Sequence, residues 1–191
     1  MTKIKICGLM TESDIKAVNQ AVPDYAGFIF AEGRHHVELE QVIKLRKLLD
    51  PKIISVGVFV DAPINVMLEA VYSGAISIIQ LHGNESEKLV DRLKDLDMKV
   101  IQVFKLPTNK IIQTHADLLM IDSGSGDGKK LDWSSLLLKP NILAGAIDIN
   151  NVATAIKQVA PDIIDVSRGV ETDNKKDPLK IKQIVNKVHK L

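Results

Sequence analysis

Lys3-Ile4-Lys5-Ile6-Cys7-Gly8-Leu9 alternates with period two: Ile4 and Ile6 fall on one face, Lys5 and Cys7 on the other, the pattern of a β-strand. A lysine and a cysteine so early in the chain do not describe a face turned simply to water. If helices cover the Ile4/Ile6 side, Lys5 and Cys7 point into whatever the strand encloses. Gly8 then lets the backbone turn away with no side chain in the way. Cys7, the only cysteine, stands at the inner end of this strand. A free cysteine there is either inert packing or a reactive thiol, and one strand does not separate the two.

Outward from this stretch, short β-rich apolar runs alternate with amphipathic ones along the whole chain, which is the sequence sign of β-α units on a parallel sheet. The runs predict strands over 3–9, 25–31, 53–60, 77–83, 99–105, 118–123, 141–147 and 163–169. Helical patterns fall over 11–21, opened by Thr11 with Ser13 and Asp14 in its capping region, and over 39–49, 63–73 with Pro63 in its first turn, 85–96, 151–159 and 177–190. Eight such units predict an α/β fold closed into a single (β/α)8 TIM barrel over residues 1–191, with short loops. A doubly wound sheet would call for a Gly-x-Gly-x-x-Gly turn after the first strand, and Cys7-Gly8-Leu9-Met10-Thr11 does not supply one. The segment 106–117 is the weakest unit, and 134–140 reads as one or two turns of helix.

Composition narrows the function classes. The chain is 46% hydrophobic and 26% charged, enough apolar content for a sizeable core in one globular domain. Basic residues number 25 and acidic ones 24, so bulk charge gives no reason to expect nucleic acid or an anionic membrane, and an anionic ligand must be held locally. No apolar run approaches the roughly 20 residues of a bilayer span. With Met1 followed at once by a polar strand and a single cysteine, a cytoplasmic protein without signal peptide or disulfide is expected. No long apolar stripe calls for a partner, so the expected state is a monomer, with a homodimer through the barrel loops as the alternative.

Barrel strands are covered on both faces, so polar residues on them carry information. Alternation pairs Lys5 with Cys7, Gln80 with His82, Met120 with Asp122, and Asp165 with Ser167. The second of each pair ends its strand, where barrel enzymes build their sites. Asp122 is followed by Ser123-Gly124-Ser125-Gly126-Asp127-Gly128, so its carboxylate either serves chemistry beside a ligand-hugging loop or caps a turn. His82 reads as a hydrogen-bonded structural residue as readily as a functional one. Lys5 and Asp165 sit on strands that become neighbours on closure, and the cost of an unpaired buried charge predicts that they pair. His35 and His36 are adjacent and make a poor metal pair, and no His-Glu-x-x-His or Cys-x-x-Cys spacing occurs. No metal is expected.

In order and spacing, one set of motifs resembles the phosphoribosylanthranilate isomerase family of tryptophan biosynthesis. The set is Lys5-Ile6-Cys7-Gly8-Leu9, Gly27-Phe28-Ile29-Phe30-Ala31, Val56-Gly57-Val58-Phe59, Gln80-Leu81-His82-Gly83, Gly126-Asp127-Gly128 leading to Asp132-Trp133, Leu143-Ala144-Gly145, and Asp165-Val166-Ser167-Arg168-Gly169-Val170-Glu171-Thr172. The resemblance implies an Amadori rearrangement of N-(5-phosphoribosyl)anthranilate to 1-(2-carboxyphenylamino)-1-deoxyribulose 5-phosphate, without a cofactor. It places Asp122 as the general acid that opens the ribose ring and Cys7 as the general base that takes the C2 proton. The phosphoribosyl substrate is then expected to meet His82, Gly126 and Gly128. Its phosphate is expected on Gly145, Ala146, Ser167, Arg168 and Gly169 in the loops after strands seven and eight.

Four positions depart from the family's pattern. Ala146 stands where a second glycine is usual, Arg168 where a second serine is usual, and Asp127 where Thr or Ser is usual. After strand two, His35 takes the place of the arginine that meets the anthranilate carboxylate, while Arg34 lies one residue early. Arg34 is the preferred candidate because only arginine offers a fixed bidentate fork. The changes leave acid and base in place and alter the binding shell. A degenerate or redirected phosphosugar-binding barrel without this activity is the alternative.

Overall fold

Eight parallel strands close into a barrel in chain order, β8 returning to pair with β1. The computed structural model describes residues 1–105, 113–122, 133, 136 and 138–191. The strands are β1 (Lys3–Cys7), β2 (Tyr25–Ile29), β3 (Ile54–Phe59), β4 (Ile78–Leu81), β5 (Val100–Lys105), β6 (Leu118–Asp122), β7 (Ile142–Ala144) and β8 (Ile163–Val166). Around them lie α1 (Glu12–Ala21), α2 (Leu39–Leu48), α3 (Ile64–Tyr72), α4 (Glu87–Asp95), α5 (Val152–Val159) and α6 (Pro178–Val188). Each expected strand and helix is present, trimmed by a few residues at its ends. Of the helical turns expected over 134–140, residues 134, 135 and 137 lie outside the described residues and 136 and 138–140 carry no assigned helix; residues 106–112 of the weak unit also lie outside them. Two features were not anticipated: a 3₁₀ turn at Arg168–Val170, and a two-residue hairpin of β9 (Glu171–Thr172) and β10 (Lys175–Lys176) before α6.

Local signals explain where the helices start. Thr11 Oγ1 accepts from the Asp14 backbone N–H at 3.1 Å while the Asp14 carboxylate accepts from Thr11 and Met10 backbone N–H groups at 2.9 Å, a reciprocal cap that satisfies donors the first turn leaves orphaned. α6 begins with Asp177 capping Leu179 and Lys180, and Pro178 occupies the first turn, where no N–H is needed.

Alternation sorts the strand residues into two cores. Ile4, Ile6, Ala26, Phe28, Ile79 and Ile164 belong to the layer between sheet and helices. Tyr25, Val56, Ile78, Ile101, Met120, Ile142 and Ile163 fill the barrel interior. That interior plug closes the lower barrel, so Cys7, Asp122 and Asp165 lie above it, at the carboxyl ends of the strands. Among the described residues no helix is long and apolar enough to cross a membrane.

Candidate active site

A cavity of about 290 Å³ opens at the C-terminal mouth of the barrel. Cys7 from β1, Asp122 from β6, and His82 just beyond β4 line it, together with Gly145, Ala146, Ser167, Arg168 and Gly169 from the loops after β7 and β8. Eight of the expected site residues therefore come together. Gly126 and Gly128, with Asp127, lie outside the described residues. Arg34 and His35 are not among the residues lining this cavity. His35 instead borders the adjoining one, with Gly8 and Lys176.

Cys7 sits where it does because β2 makes room for it. It is the register partner of Gly27, and a Cβ at position 27 would come within 2.7 Å of Cys7 Sγ and 3.1 Å of Lys5 Cε. Beneath it, Lys5 Nζ donates to Asp165 Oδ1 at 3.0 Å, joining strands that are also register partners. The expected pair is thus formed, fully inside the barrel, where a lone ammonium would cost several kcal/mol. Burial works against the Lys5 ammonium, but Asp165 and then Cys7 more than offset it, and Lys5 stays charged. Burial pushes the Cys7 thiol above its ordinary range; Lys5 opposes that push and Asp165 adds to it. Gly8 follows at φ +81°, turning the chain out over the mouth.

On the far side, His82 Nε2 lies 3.3 Å from Asp122 Oδ2, and Gln80 Nε2 lies 3.3 Å from His82 Nδ1. Gln80 is buried, and its Oε1 has no partner among the described residues. Rotating the amide by half a turn places Oε1 opposite Nδ1, where it can accept an Nδ1–H. Gln80, His82 and Asp122 thus form a chain of polar side chains at the carboxyl ends of β4 and β6. The loops beneath are braced by Glu85, whose carboxylate accepts from Asp61 and Gly83 backbone N–H groups at 2.9 and 2.8 Å.

The β7 and β8 loops meet closely. A Cβ on Gly169 would fall 1.9 Å from the Ile147 carbonyl oxygen. The β7 loop is held by Asn151, which donates to Ala146 O at 2.8 Å and accepts from Asp148 N at 2.9 Å. Ala146 itself has φ +49°. This explains why glycine suits the position, since the left-handed region costs an L-residue roughly 1–2 kcal/mol. Ala146→Gly is therefore expected to raise stability, by up to ~1 kcal/mol after the unfolded-chain entropy of glycine is subtracted. It should also lower KM by removing a methyl from the cavity wall. Thermal unfolding and substrate titration of the variant check both.

A second cluster was missed from sequence. Glu171, quoted only as part of a motif, receives Arg34 at 2.6 Å, His35 at 2.9 Å and Lys176 at 2.7 Å. Lys176 also donates to Ser167 O at 3.0 Å. Burial works against the Glu171 carboxylate, yet Lys176 first, then His35 and Arg34, hold it below the usual range. His35 is pushed down by burial and by Lys176, so at neutral pH it stays uncharged and donates Nε2–H to Glu171. Arg34 also donates to Asn174, and its guanidinium is half-exposed at the rim. The signal in the sequence was the charge pattern Glu171…Lys175-Lys176, but nothing local says that a hairpin folds it back onto β8. Among the described residues no group of three His, Cys, Asp or Glu side chains converges as a metal set would.

The match to a family model settles the broad class: the model of N-(5'-phosphoribosyl)anthranilate isomerase covers residues 4–187. The chain belongs to that isomerase family. A family member from Lacticaseibacillus casei strain BL23 is 45% identical over 187 residues, 97% of this chain and 94% of that one. Another from Streptococcus gordonii is 40% identical over 98% of both. The phosphoribosylanthranilate isomerase of Thermotoga maritima superposes with a TM-score of 0.87 at 27% identity over the full length of both chains. A further solved isomerase, in complex with reduced 1-(o-carboxyphenylamino)-1-deoxyribulose 5-phosphate, superposes at 0.84 with 25% identity. This chain is accordingly a TIM-barrel isomerase of tryptophan biosynthesis.

Proposed function

We propose that this isomerase carries out the Amadori rearrangement of N-(5'-phosphoribosyl)anthranilate with Asp122 as general acid and Cys7 as general base. The observation that carries the assignment is that these two groups line one cavity from strands β6 and β1, which are separated by β7 and β8. The phosphate-facing loops rise between them. A sugar anchored by its phosphate on the Gly145–Ala146 and Ser167–Gly169 loops, with Arg168 supplying a cation, would present its ring oxygen to one side and its C2–H to the other.

In the first step the Asp122 carboxyl gives its proton to the furanose oxygen, the C1–O bond breaks, and the aniline nitrogen lone pair forms the iminium. In the second, the Cys7 thiolate takes the C2 proton, and the C–H electron pair neutralises the iminium as an enolamine, which tautomerises to the ketone. Cys7 ends protonated and Asp122 ionised, so a net proton returns from thiol to carboxylate between turnovers. His82 stands where it can hold the proton on Asp122. At the rim the anthranilate carboxylate goes to Arg34, exchanging for its contact with Glu171.

These roles need a protonated carboxyl and an ionised thiol, the reverse of their ordinary order of about 4 and about 8.5. The active form therefore has the same net charge as the resting one, and kcat/KM should stay flat across the neutral range and fall on both sides. Mixing the purified protein with freshly made phosphoribosylanthranilate and following the loss of anthranilate fluorescence from about pH 6 to about pH 8 tests this. Absence of turnover in the folded protein would defeat the proposal. A tenfold rise per pH unit would show instead that a thiolate is needed with no protonated partner.

A further inference from the structure

The geometry points to Lys5 as a positioning residue for the reaction: its buried ammonium is the counter-ion that sustains Cys7 as a thiolate, and Asp165 meters that charge by sharing it. Lys5 is not among the residues lining the cavity, so it is placed to act through Cys7 and not on the sugar. Its Cε and the Cys7 Sγ both lie within about 3 Å of the point above Gly27 where a Cβ would stand, so both side chains border the space that residue 27 leaves open, and the ammonium is a hydrogen-bonding neighbour of the thiol. Lys5 is 1% exposed, Cys7 5% and Asp165 8%, so water screens these charges little.

A lysine at the centre of a barrel that needed only packing would be an expensive choice, and a Lys–Asp pair alone is weak support for stability. The pair becomes intelligible when a third charge forms beside it. With Asp165 ionised and Lys5 protonated the resting cluster is neutral, and loss of the Cys7 proton leaves one net negative charge. Without Lys5 the same step would leave two negative charges in contact. Among the described residues, the charged and titratable groups around Cys7 are Lys5 on its own strand, Asp165 on β8, Lys176 on β10 and Tyr25 lower on β2. Across the mouth stand His82, Asp122 and Arg168. Lys5 is the largest of the attractive influences on the thiolate and Asp165 the largest of the repulsive ones.

The test uses the fact that Cys7 is the only thiol. Iodoacetamide is attacked by the thiolate, the S–C bond forming as iodide leaves, so the pH at which its rate is half-maximal reports ionisation of Cys7 itself. Access to the cavity scales the rate but not that midpoint. Lys5→Met is expected to raise the midpoint by about one pH unit or more, a tenfold loss of thiolate at fixed pH, and Asp165→Asn to lower it. A purely structural pair would move neither, or would move both alike as the site loosens, and either result overturns the proposal. Should a single variant fail to fold, the double variant Lys5→Met/Asp165→Asn leaves no unpaired buried charge. Because Lys5 outweighs Asp165, its midpoint should still lie above the parent's, and a midpoint equal to or below it refutes the assignment. The consequence for catalysis rests on Cys7 being the base: kcat of Lys5→Met should fall in step with the thiolate fraction while KM holds. Alkylation midpoints that move as expected beside an unchanged kcat would retain the Lys5–Cys7 coupling and reject only the base.

Discussion

Replacing Cys7 by alanine is expected to lower kcat by roughly 10²–10⁴-fold, the usual worth of a positioned acid or base, and Asp122→Asn should cost a similar factor. Neither change should unfold the protein. Cys7→Ala removes one sulfur from the floor of an open cavity, and Asp122 is partly exposed at a strand end. Stability losses of ~1 kcal/mol or less are anticipated, well short of the larger costs of emptying a closed core. The two variants also separate the two halves of the reaction. With asparagine at 122 the ring cannot be opened by proton donation, so solvent hydrogen at C2 should not exchange. With alanine at 7 the ring can still open, and the substrate should accumulate as the open iminium or revert. Near-normal turnover in either variant, measured by loss of substrate fluorescence in matched folded samples, would remove that residue from the role assigned to it.

The second large effect is structural in origin. Gly169→Ala would place a methyl carbon 1.9 Å from the Ile147 carbonyl oxygen, and the obstacle is backbone, not a side chain that can rotate away. The β7 and β8 loops would have to part by more than 1 Å, yet the first is held by Asn151 and Asp148 and the second by Lys176 donating to Ser167 O. Overpacking of this kind costs typically 1–3 kcal/mol, and here the strain falls on the two loops that would share the phosphate. The expected result is a rise in KM of tenfold or more together with a lower melting temperature. Inorganic phosphate protection against thermal unfolding should weaken in parallel. A variant with parental KM would show that these loops do not hold the phosphate end.

The arrangement of strands and helices was legible because its causes are local. Period-two runs such as Ile4-Lys5-Ile6-Cys7 and the Thr11/Asp14 cap act within one strand or one turn, so each declares itself in sequence order. Knowing that such units alternate eight times was enough to infer closure. Closure in turn made Lys5 and Asp165 neighbours and brought Cys7 and Asp122 to one mouth. Ala146 was visible as a departure from the family, but its left-handed φ was not.

What the sequence by itself determined is therefore which residues face inward and at which strand end they stand, since side-chain direction on a strand follows from parity alone. Only the tertiary structure decided who touches whom. Glu171 gathering Arg34, His35 and Lys176, Gln80 standing behind His82, Gly27 clearing the space between Lys5 and Cys7, and Gly169 pressed against Ile147 are all contacts set by loop paths and by the shear of the closed sheet. Most join positions far apart in the chain, and the rest depend on a hairpin or strand end whose path no short pattern announces. Hydrogen bonds and steric gaps of that kind leave no periodic trace in the chain, because they are formed only after the barrel has closed.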